Sequence, residues 1–224
     1  MSKRMKVAKA KINVQEKYDL PEAVKLVKET GQVKFDAAVE IHVRLGIDVK
    51  KSDQMVRGTI KLPYGTGKTK RVAAFVGAEK EKDAKEAGAV LVGGEDLIAQ
   101  IKKDGKTDFD VAVATPDMMS KLAVIAKTLG QKGLMPNPKA GTITTDIKKM
   151  VTDLQQGLLS LKTDATGNLH APVGRISFAE DKLVENVTVF MDELKKMKPD
   201  GVKGSFIRAV YLTSTMGPSV QLQL

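Results

Sequence analysis

The sequence predicts an α/β protein of two domains: a discontinuous α+β domain with an antiparallel sheet and an inserted, Rossmann-like α/β domain with a parallel sheet. Three observations support this. The middle of the chain alternates short apolar runs with amphipathic helical segments, as βαβ units do. Both flanks instead alternate apolar and polar residues with a period of two, which is typical of half-buried antiparallel strands. Turn residues mark both junctions, at 63–67 and at Gly157.

The predicted domain boundaries follow from these junctions. The discontinuous domain takes residues 1–65 and 159–224, and the inserted domain takes residues 66–158. The discontinuous domain holds 22 basic and 15 acidic residues, whereas the insert holds 15 and 12. If the chain binds a polyanion, the discontinuous domain is therefore the better platform.

The insert is predicted to contain three strands and four helices in alternation. The strands are short apolar runs at 71–77, 90–93 and 109–114. The helices lie at 79–88, at 95–104, from near Asp117 to Gly130, and at 146–156. In the second helix Leu97, Ile98 and Ile101 share one face. Strands joined by helices in this order predict a mostly parallel sheet that is covered on both faces.

The flanks are predicted to form antiparallel strands and two helices. The strands lie at 38–48, 55–62, 158–163, 168–178 and 204–213. The helices lie at 20–30, with Pro21 in the first turn, and at 179–197, which ends in a basic run suited to the helix dipole.

The composition favours a nucleic-acid partner. The chain has 37 basic and 27 acidic residues, a net charge of +10 and a pI near 9.6. It has no cysteine, which excludes disulfides and thiolate metal sites. No segment is apolar and long enough to span a membrane, so a cytoplasmic protein without a membrane partner is expected. The first eleven residues carry five positive charges and no acid, which fits either a basic arm on nucleic acid or a solvated, frayed terminus.

No motif predicts catalysis, a cofactor or a metal site. The run GTGKT at 65–69 resembles the end of a phosphate-binding loop, but Leu62 stands where that motif needs glycine, and a strand is predicted to follow. At the glycine pair 93–94, two acids open the next helix and would repel a pyrophosphate. His42 and His170 lie in strand-like segments without a metal-ligand pattern, which favours packed or hydrogen-bonding histidines.

Two segments favour an anionic partner. The loop GQKGLMPNPKAGT at 130–142 holds three glycines, two prolines and two lysines, so it is either a shaped cationic loop or an ordinary connection. The run YLTSTMGP at 211–218 offers hydroxyls, a methionine and a glycine that suit ribose and phosphate contacts. Its alternative is a plain strand end. Lys34 and Phe35 form a cation and ring pair before the first flank strand, although the ring equally suits a core.

Taken together, these residues resemble the family of the first large-subunit ribosomal protein, the bacterial protein of the mobile stalk beside the tRNA exit site. The matching strings run in order along nearly the whole chain: KFDAAVEIHVRLGID at 34–48, KSDQMVRGTIKLP at 51–63, FDVAVATPD at 109–117, GLMPNPKAGT at 133–142, HAPVGRISF at 170–178 and TSTMGPS at 213–219.

The resemblance implies a non-enzymatic RNA-binding protein. Its implied partners are large-subunit rRNA of the stalk region, exit-site tRNA, whose release it assists, and the mRNA of its own operon, which it represses. DNA, a membrane, a homo-oligomer and a cofactor are not expected. The RNA contacts carried over by position are Lys34, Phe35, Glu40, His170, Thr215, Met216 and Gly217. The loop of the insert is expected to supply a secondary contact through Lys132, Gly133 and Lys139.

The chain departs from the family pattern at two places. Ala38 stands where many members have a hydroxyl residue, and the loop opens with G-Q-K-G instead of G-P-R-G. Lysine lacks the planar fork of arginine, and the missing proline loosens the turn. Two competing classes remain at this stage: a DNA-binding or nucleoid protein, for which no recognition-helix pattern is present, and a phosphate-loop or dinucleotide enzyme.

Overall fold

The structure is a computed structural model that describes residues 2–13, 16–51, 53–138 and 141–223. It divides into two compact units: unit 1 comprises Met1–Gly67 and Leu159–Leu224, and unit 2 comprises Lys68–Leu158. Within the described ranges, no helix is long and apolar enough to cross a membrane.

The helices and strands follow one another along the chain with short connections. The helices are α1 (Lys3–Ala10), α2 (Leu20–Thr30), α3 (Glu81–Glu86), α4 (Glu95–Asp104), α5 (Pro116–Leu122), α6 (Ala126–Gln131), α7 (Ile147–Gln155) and α8 (Glu180–Lys196). The strands are β1 (Ala38–Leu45), β2 (Arg57–Lys61), β3 (Val72–Phe75), β4 (Leu91–Gly93), β5 (Val111–Ala114), β6 (Leu158–Lys162), β7 (Asn168–Arg175), β8 (Ile207–Ser214) and β9 (Ser219–Gln221). The 3₁₀ turns with full bounds among the described residues lie at Ala78–Lys80 and Ala123–Ile125.

Unit 1 is built on a four-stranded antiparallel sheet in the order β7-β1-β8-β9, beside a two-stranded sheet of β2 and β6. In β1 the odd-numbered residues are buried, and the even-numbered residues between them are partly or fully exposed. The buried side chains pack in one core with residues of α2 and α8, including the fully buried Phe190. Helices therefore cover one face of this sheet and leave the other face open.

Unit 2 is built on a three-stranded parallel sheet in the order β4-β3-β5. All four residues of β3 are fully buried, because neighbouring residues point into two different cores. Ala73 and Phe75 pack with residues of α4 and α5, whereas Val72 and Ala74 pack with residues of α3 and α7. The predicted fold class, with an antiparallel and a parallel sheet, is confirmed.

Two local predictions need correction, and one strand was not predicted. The helix predicted from near Asp117 to Gly130 is divided into α5 and α6 by the 3₁₀ turn Ala123–Ile125, which holds Val124 and Ile125, two β-branched residues of lower helix propensity. The N-terminal segment forms the helix α1, so its interpretation as a frayed terminus is wrong. Strand β9 was not predicted, because three residues carry too little alternation to be recognised.

Candidate nucleic-acid interface

The open face of the sheet in unit 1 presents three rows of side chains. In the first row Glu40 lies between Pro172 and Thr213. The other two rows are His170, His42 and Tyr211, and then Asn168, Arg44 and Ala209. Because strands place every second side chain on one face, these groups form a regular grid of donors, acceptors and rings that faces solvent.

The centre of this face is a pair of histidines. His42 Nδ1 and His170 Nδ1 lie 2.8 Å apart, and the rings meet edge to face with centroids 5.0 Å apart. One ring nitrogen must donate and the other must accept, so at least one of the two rings is neutral. Partial burial lowers the pKa of His42, and the neighbouring His170 lowers it further, while Glu40 opposes both effects. The Glu40 carboxylate lies 3.9 Å from His42 Nε2.

A second carboxylate, Asp164, ends the row of histidines at the turn before β7. It accepts hydrogen bonds from the backbone N–H groups of Asn168 (2.7 Å) and Thr166 (2.9 Å). The bond from Asn168 is the largest influence on its pKa, which lies far below the usual range of a carboxyl, so Asp164 stays charged. Its Oδ2 lies 3.5 Å from His170 Nε2, which orients that ring on the sheet.

Thr215 connects the open face with the turn that follows β8. Its backbone N–H donates to the Ala38 carbonyl (2.9 Å), and its Oγ1 accepts from the Ala38 N–H (3.2 Å). The same Oγ1 lies 3.4 Å from Glu40 Oε1. Thr215 therefore supplies a side-chain hydroxyl beside Ala38, whose own side chain has none.

The turn from Ser214 to Gly217 exposes a methionine in an unusual backbone conformation. The Gly217 N–H donates to the Ser214 carbonyl (2.8 Å), which closes the turn. Met216 has a φ of 66°, the only positive φ outside glycine among the described residues, and it is 66% exposed. A Cβ on Gly217 would collide with the Ser214 hydroxyl and lie 3.3 Å from the Ser214 carbonyl, so this tight turn favours glycine.

An open surface depression of about 490 Å³ lies beside this turn. Its lining residues are Arg4, Gln32, Val33, Lys34, Phe35 and Met216. Phe35 is 55% exposed, so its ring is not a core residue. The Arg175 guanidinium donates to the Asp36 carbonyl (2.8 Å) and holds the end of the segment that carries Lys34 and Phe35.

The structure groups the predicted site residues of unit 1 in two adjoining places. Glu40, His170 and Thr215 belong to the open face and its edge, and the Thr215 side chain contacts Glu40 directly. Lys34, Phe35 and Met216 line the depression, and Gly217 closes the turn between them. Sequence reasoning missed the roles of Arg4 and Asp164 and the pairing of His42 with His170. Strand alternation alone was the available signal for His42.

The residues expected to make a secondary contact lie in unit 2. Lys132 donates to Thr107 Oγ1 (2.8 Å) and lies 3.4 Å from the Gly105 carbonyl, so its ammonium is held against the loop after α4. Gly133 has a φ of 68°, which favours glycine. Lys139 lies outside the described residues.

Features of other site classes give no competing arrangement. Among the described residues, no group of three or more histidine, aspartate or glutamate side chains is placed to hold a metal ion. Gly65 and Gly67 both have positive φ, and the strand β3 follows them, whereas a phosphate-binding loop would continue into a helix.

Comparison with known proteins gives a consistent result. Residues 26–218 match the family described as the Ribosomal protein L1p/L10e family. The chain is 49% identical over 221 residues to the large ribosomal subunit protein uL1 of Thermosipho melanesiensis, covering 99% of this chain and 95% of that protein. It is 48% identical to uL1 of Frankia casuarinae, covering 98% and 92%, and 46% identical to uL1 of Mesoplasma florum, covering 100% and 98%.

Proposed function

The chain belongs to the Ribosomal protein L1p/L10e family, and from that membership we propose that it binds large-subunit rRNA at the mobile stalk through unit 1. Membership makes it a protein of the large ribosomal subunit in the cytoplasm, and a structural protein, not an enzyme. The finer proposal concerns which RNA it binds, with which residues, and to what effect.

One observation carries the proposal: the open, polar face of the sheet in unit 1 continues into the Thr215–Gly217 turn and the adjoining depression. A-form RNA presents a wide, shallow minor groove lined with ribose 2′-hydroxyls, which proteins recognise by shape and by hydrogen bonds. A surface with hydroxyl, imidazole and carboxylate groups at the spacing of a sheet suits such a groove. Lys34 beside it supplies a cation for phosphate.

Each proposed contact residue has a role that its surroundings support. Glu40 accepts hydrogen bonds from ribose 2′-hydroxyls, which are themselves donors, and the Thr215 hydroxyl donates to or accepts from them. His170 offers a ring nitrogen from the same face. Met216 and Phe35 give exposed apolar surface for sugars or bases, and Gly217 allows the RNA backbone to approach closely.

RNA binding is tested by gel shift with a fragment that contains the stalk region of large-subunit rRNA. We expect Thr215→Ala and Met216→Ala each to weaken binding about tenfold or more, the size of a lost well-placed hydrogen bond or packed side chain. The matched controls are Thr152→Ala, a half-buried threonine of unit 2 whose hydroxyl donates to the Lys148 carbonyl of its own helix, and Val124→Ala, an exposed apolar residue of unit 2. Tight binding by both site variants would reject the assignment.

Competition with duplex DNA separates this proposal from a DNA-binding protein. Affinity for the RNA should fall as salt rises, because cationic side chains displace counterions from phosphate. Salt dependence is shared by both classes, so selectivity decides between them. Duplex DNA that competes as well as the RNA fragment would favour the DNA-binding class.

We also propose that the chain assists release of exit-site tRNA and represses its own operon. Ribosomes lacking the protein should release deacylated tRNA more slowly, and added protein should restore the rate. Added protein should also lower translation in vitro from its own operon mRNA, and Thr215→Ala should weaken this repression together with rRNA binding.

The loop of unit 2 is proposed as a secondary contact through Lys132, Gly133 and Lys139. Lys132→Ala should therefore weaken RNA binding less than Lys34→Ala.

A further inference from the structure

Arg4 joins two segments that are distant in the sequence. Its guanidinium donates through Nη1 to the Gln32 carbonyl (3.1 Å) and through Nη2 to the Met216 carbonyl (2.7 Å). These acceptors belong to the segment before β1 and to the turn after β8, which form two sides of the depression. A planar guanidinium suits two carbonyl acceptors at once, whereas an ammonium is a single compact charge.

The helix α1 holds Arg4 in place. The Ser2 hydroxyl accepts from the Met5 N–H (3.3 Å) and caps the helix. Ala8 is buried, and Ile12, just after the helix, belongs to the core of unit 1. The guanidinium is therefore presented from a packed helix and not from a loose terminus.

The hydrogen bond from Arg4 to the Met216 carbonyl matters because the backbone of Met216 is strained. A φ of 66° is disfavoured for any residue other than glycine, since the Cβ then approaches the backbone carbonyl. Residues in such conformations persist where their surroundings hold them, and they concentrate at binding sites. The bond from Arg4 is a long-range contact that fixes this peptide and the direction of the exposed methionine.

We infer that Arg4 is a positioning residue of the RNA site: it holds the Met216 turn and the Lys34–Phe35 segment at the separation that the RNA requires. The inference rests on the proposed function of unit 1. Each terminal nitrogen of Arg4 donates to a backbone carbonyl, and these two bonds shape the site, whereas Lys34 meets the phosphate. The helix α1 thereby becomes part of the RNA-binding surface.

The test compares RNA affinity and its salt dependence in three variants of the full chain. Arg4→Ala should weaken binding to the stalk fragment about tenfold, as expected when charged hydrogen bonds that order a site are lost. Lys6→Ala is the matched control, because it removes the same charge from an exposed position on the same helix. Lys34→Ala should reduce the salt slope by about 0.7 to 0.9, the value for one lost phosphate contact. Arg4→Ala should change the slope no more than Lys6→Ala does.

A double-mutant cycle gives a second, independent readout. If Arg4 positions the Met216 side chain, Arg4→Ala should weaken binding less in the Met216→Ala background than in the parent chain, and the remaining loss should reflect its hold on the Lys34–Phe35 segment. Arg4→Lys should restore only part of the affinity, because lysine keeps the charge and loses the planar fork. Melting temperatures of all variants establish that unit 1 remains folded.

The outcomes separate this inference from the proposed function. If Met216→Ala and Lys34→Ala weaken binding while Arg4→Ala behaves like Lys6→Ala, the positioning role is rejected and the RNA site stands. A salt slope reduced by Arg4→Ala as much as by Lys34→Ala also rejects it, in favour of a direct phosphate contact. If none of these variants weakens binding, the proposed RNA site is rejected together with the inference.

Discussion

The two sheets of this protein make opposite use of their faces. The antiparallel sheet of unit 1 has helices on one face, so every second residue of β1 is free to point towards solvent. The parallel sheet of unit 2 has helices on both faces, and all of β3 is buried. The difference shows how topology decides where recognition residues can lie. Unit 1 can carry them on the strands themselves, whereas unit 2 must place them in its loops.

The largest expected effect tests this contrast directly. Ala73 and Ala74 are neighbours in β3 that face different cores, so Ala73→Asp and Ala74→Asp should each destabilise unit 2 by about 4 kcal/mol or more, because both bury an unpaired charge. In β1 the same substitution should be severe at Val43, which is buried, and mild at Arg44, which is exposed. Urea unfolding followed by circular dichroism measures all four variants.

The matched pair in β1 serves as the control for backbone effects, since both of its positions lie in a strand. If either alanine of β3 tolerates aspartate as well as Arg44 does, one face of the parallel sheet is not closed. The contrast between the two sheets would then be wrong.

Much of the architecture could be predicted because local signals agree with it. The helices α2 and α4 begin and end at the predicted residues, since Pro21 marks the start of one and Gly105, with a φ of 64°, ends the other. The alternation in β1 also predicted a half-buried strand. These features depend on residues a few positions apart, which a sequence displays directly.

The contacts that shape the site could not be predicted in this way. Arg4 and Met216 are separated by 212 positions, and no periodicity connects them. The pairing of His42 with His170 depends on the register of β1 against β7, and a shift of one residue would place these side chains on opposite faces. The resemblance to the family pointed to His170 and Met216. It gave neither the contact of His170 with His42 nor the role of Arg4.

A buried asparagine in unit 1 gives the second prediction. Asn186 lies on the apolar side of α8, accepts from the Tyr64 N–H (3.1 Å), and donates to the carbonyls of Gly65 (3.0 Å) and Val173 (2.8 Å). Asn186→Ala leaves these backbone groups without partners and should cost about 3 kcal/mol. Thr188→Ala, on the exposed side of the same helix, is the control for helix propensity.

The stability of the Asn186 and Thr188 variants tests the covered face of the antiparallel sheet in unit 1. The closed face of unit 1 tolerates a polar side chain because every polar group of Asn186 is used. Urea midpoints of the two variants should differ clearly. Equal midpoints would mean that the backbone groups around Gly65 find other hydrogen-bond partners. The contact of Asn186 would then not fix the end of the first segment of unit 1, Met1–Gly67.

A smaller effect is expected from acidification of the open face. His42 lies near His170, Glu40 and Tyr211, and its pKa is below the usual 6.5, so the folded chain binds fewer protons at this site than the unfolded chain. Stability should therefore fall as the pH drops from about 7.5 to about 5.5, because protons then favour the unfolded state. His42→Gln should reduce this fall. Urea midpoints of parent and variant at both pH values measure it, and parallel losses would exclude His42 as the cause.

The smallest expected effect concerns the place where the closed and open sides of unit 1 meet. Ser214 is 2% exposed, and its Oγ has no hydrogen-bond partner among the residues that the structure describes. A buried hydroxyl without a partner carries a desolvation cost, so Ser214→Ala should leave stability unchanged or raise it by up to about 1 kcal/mol. RNA affinity should stay the same, since the hydroxyl is buried and the glycine turn beside it is kept. A loss of more than about 1 kcal/mol would contradict this prediction, because it would mean that the hydroxyl makes a hydrogen bond that stabilises the turn presenting Met216.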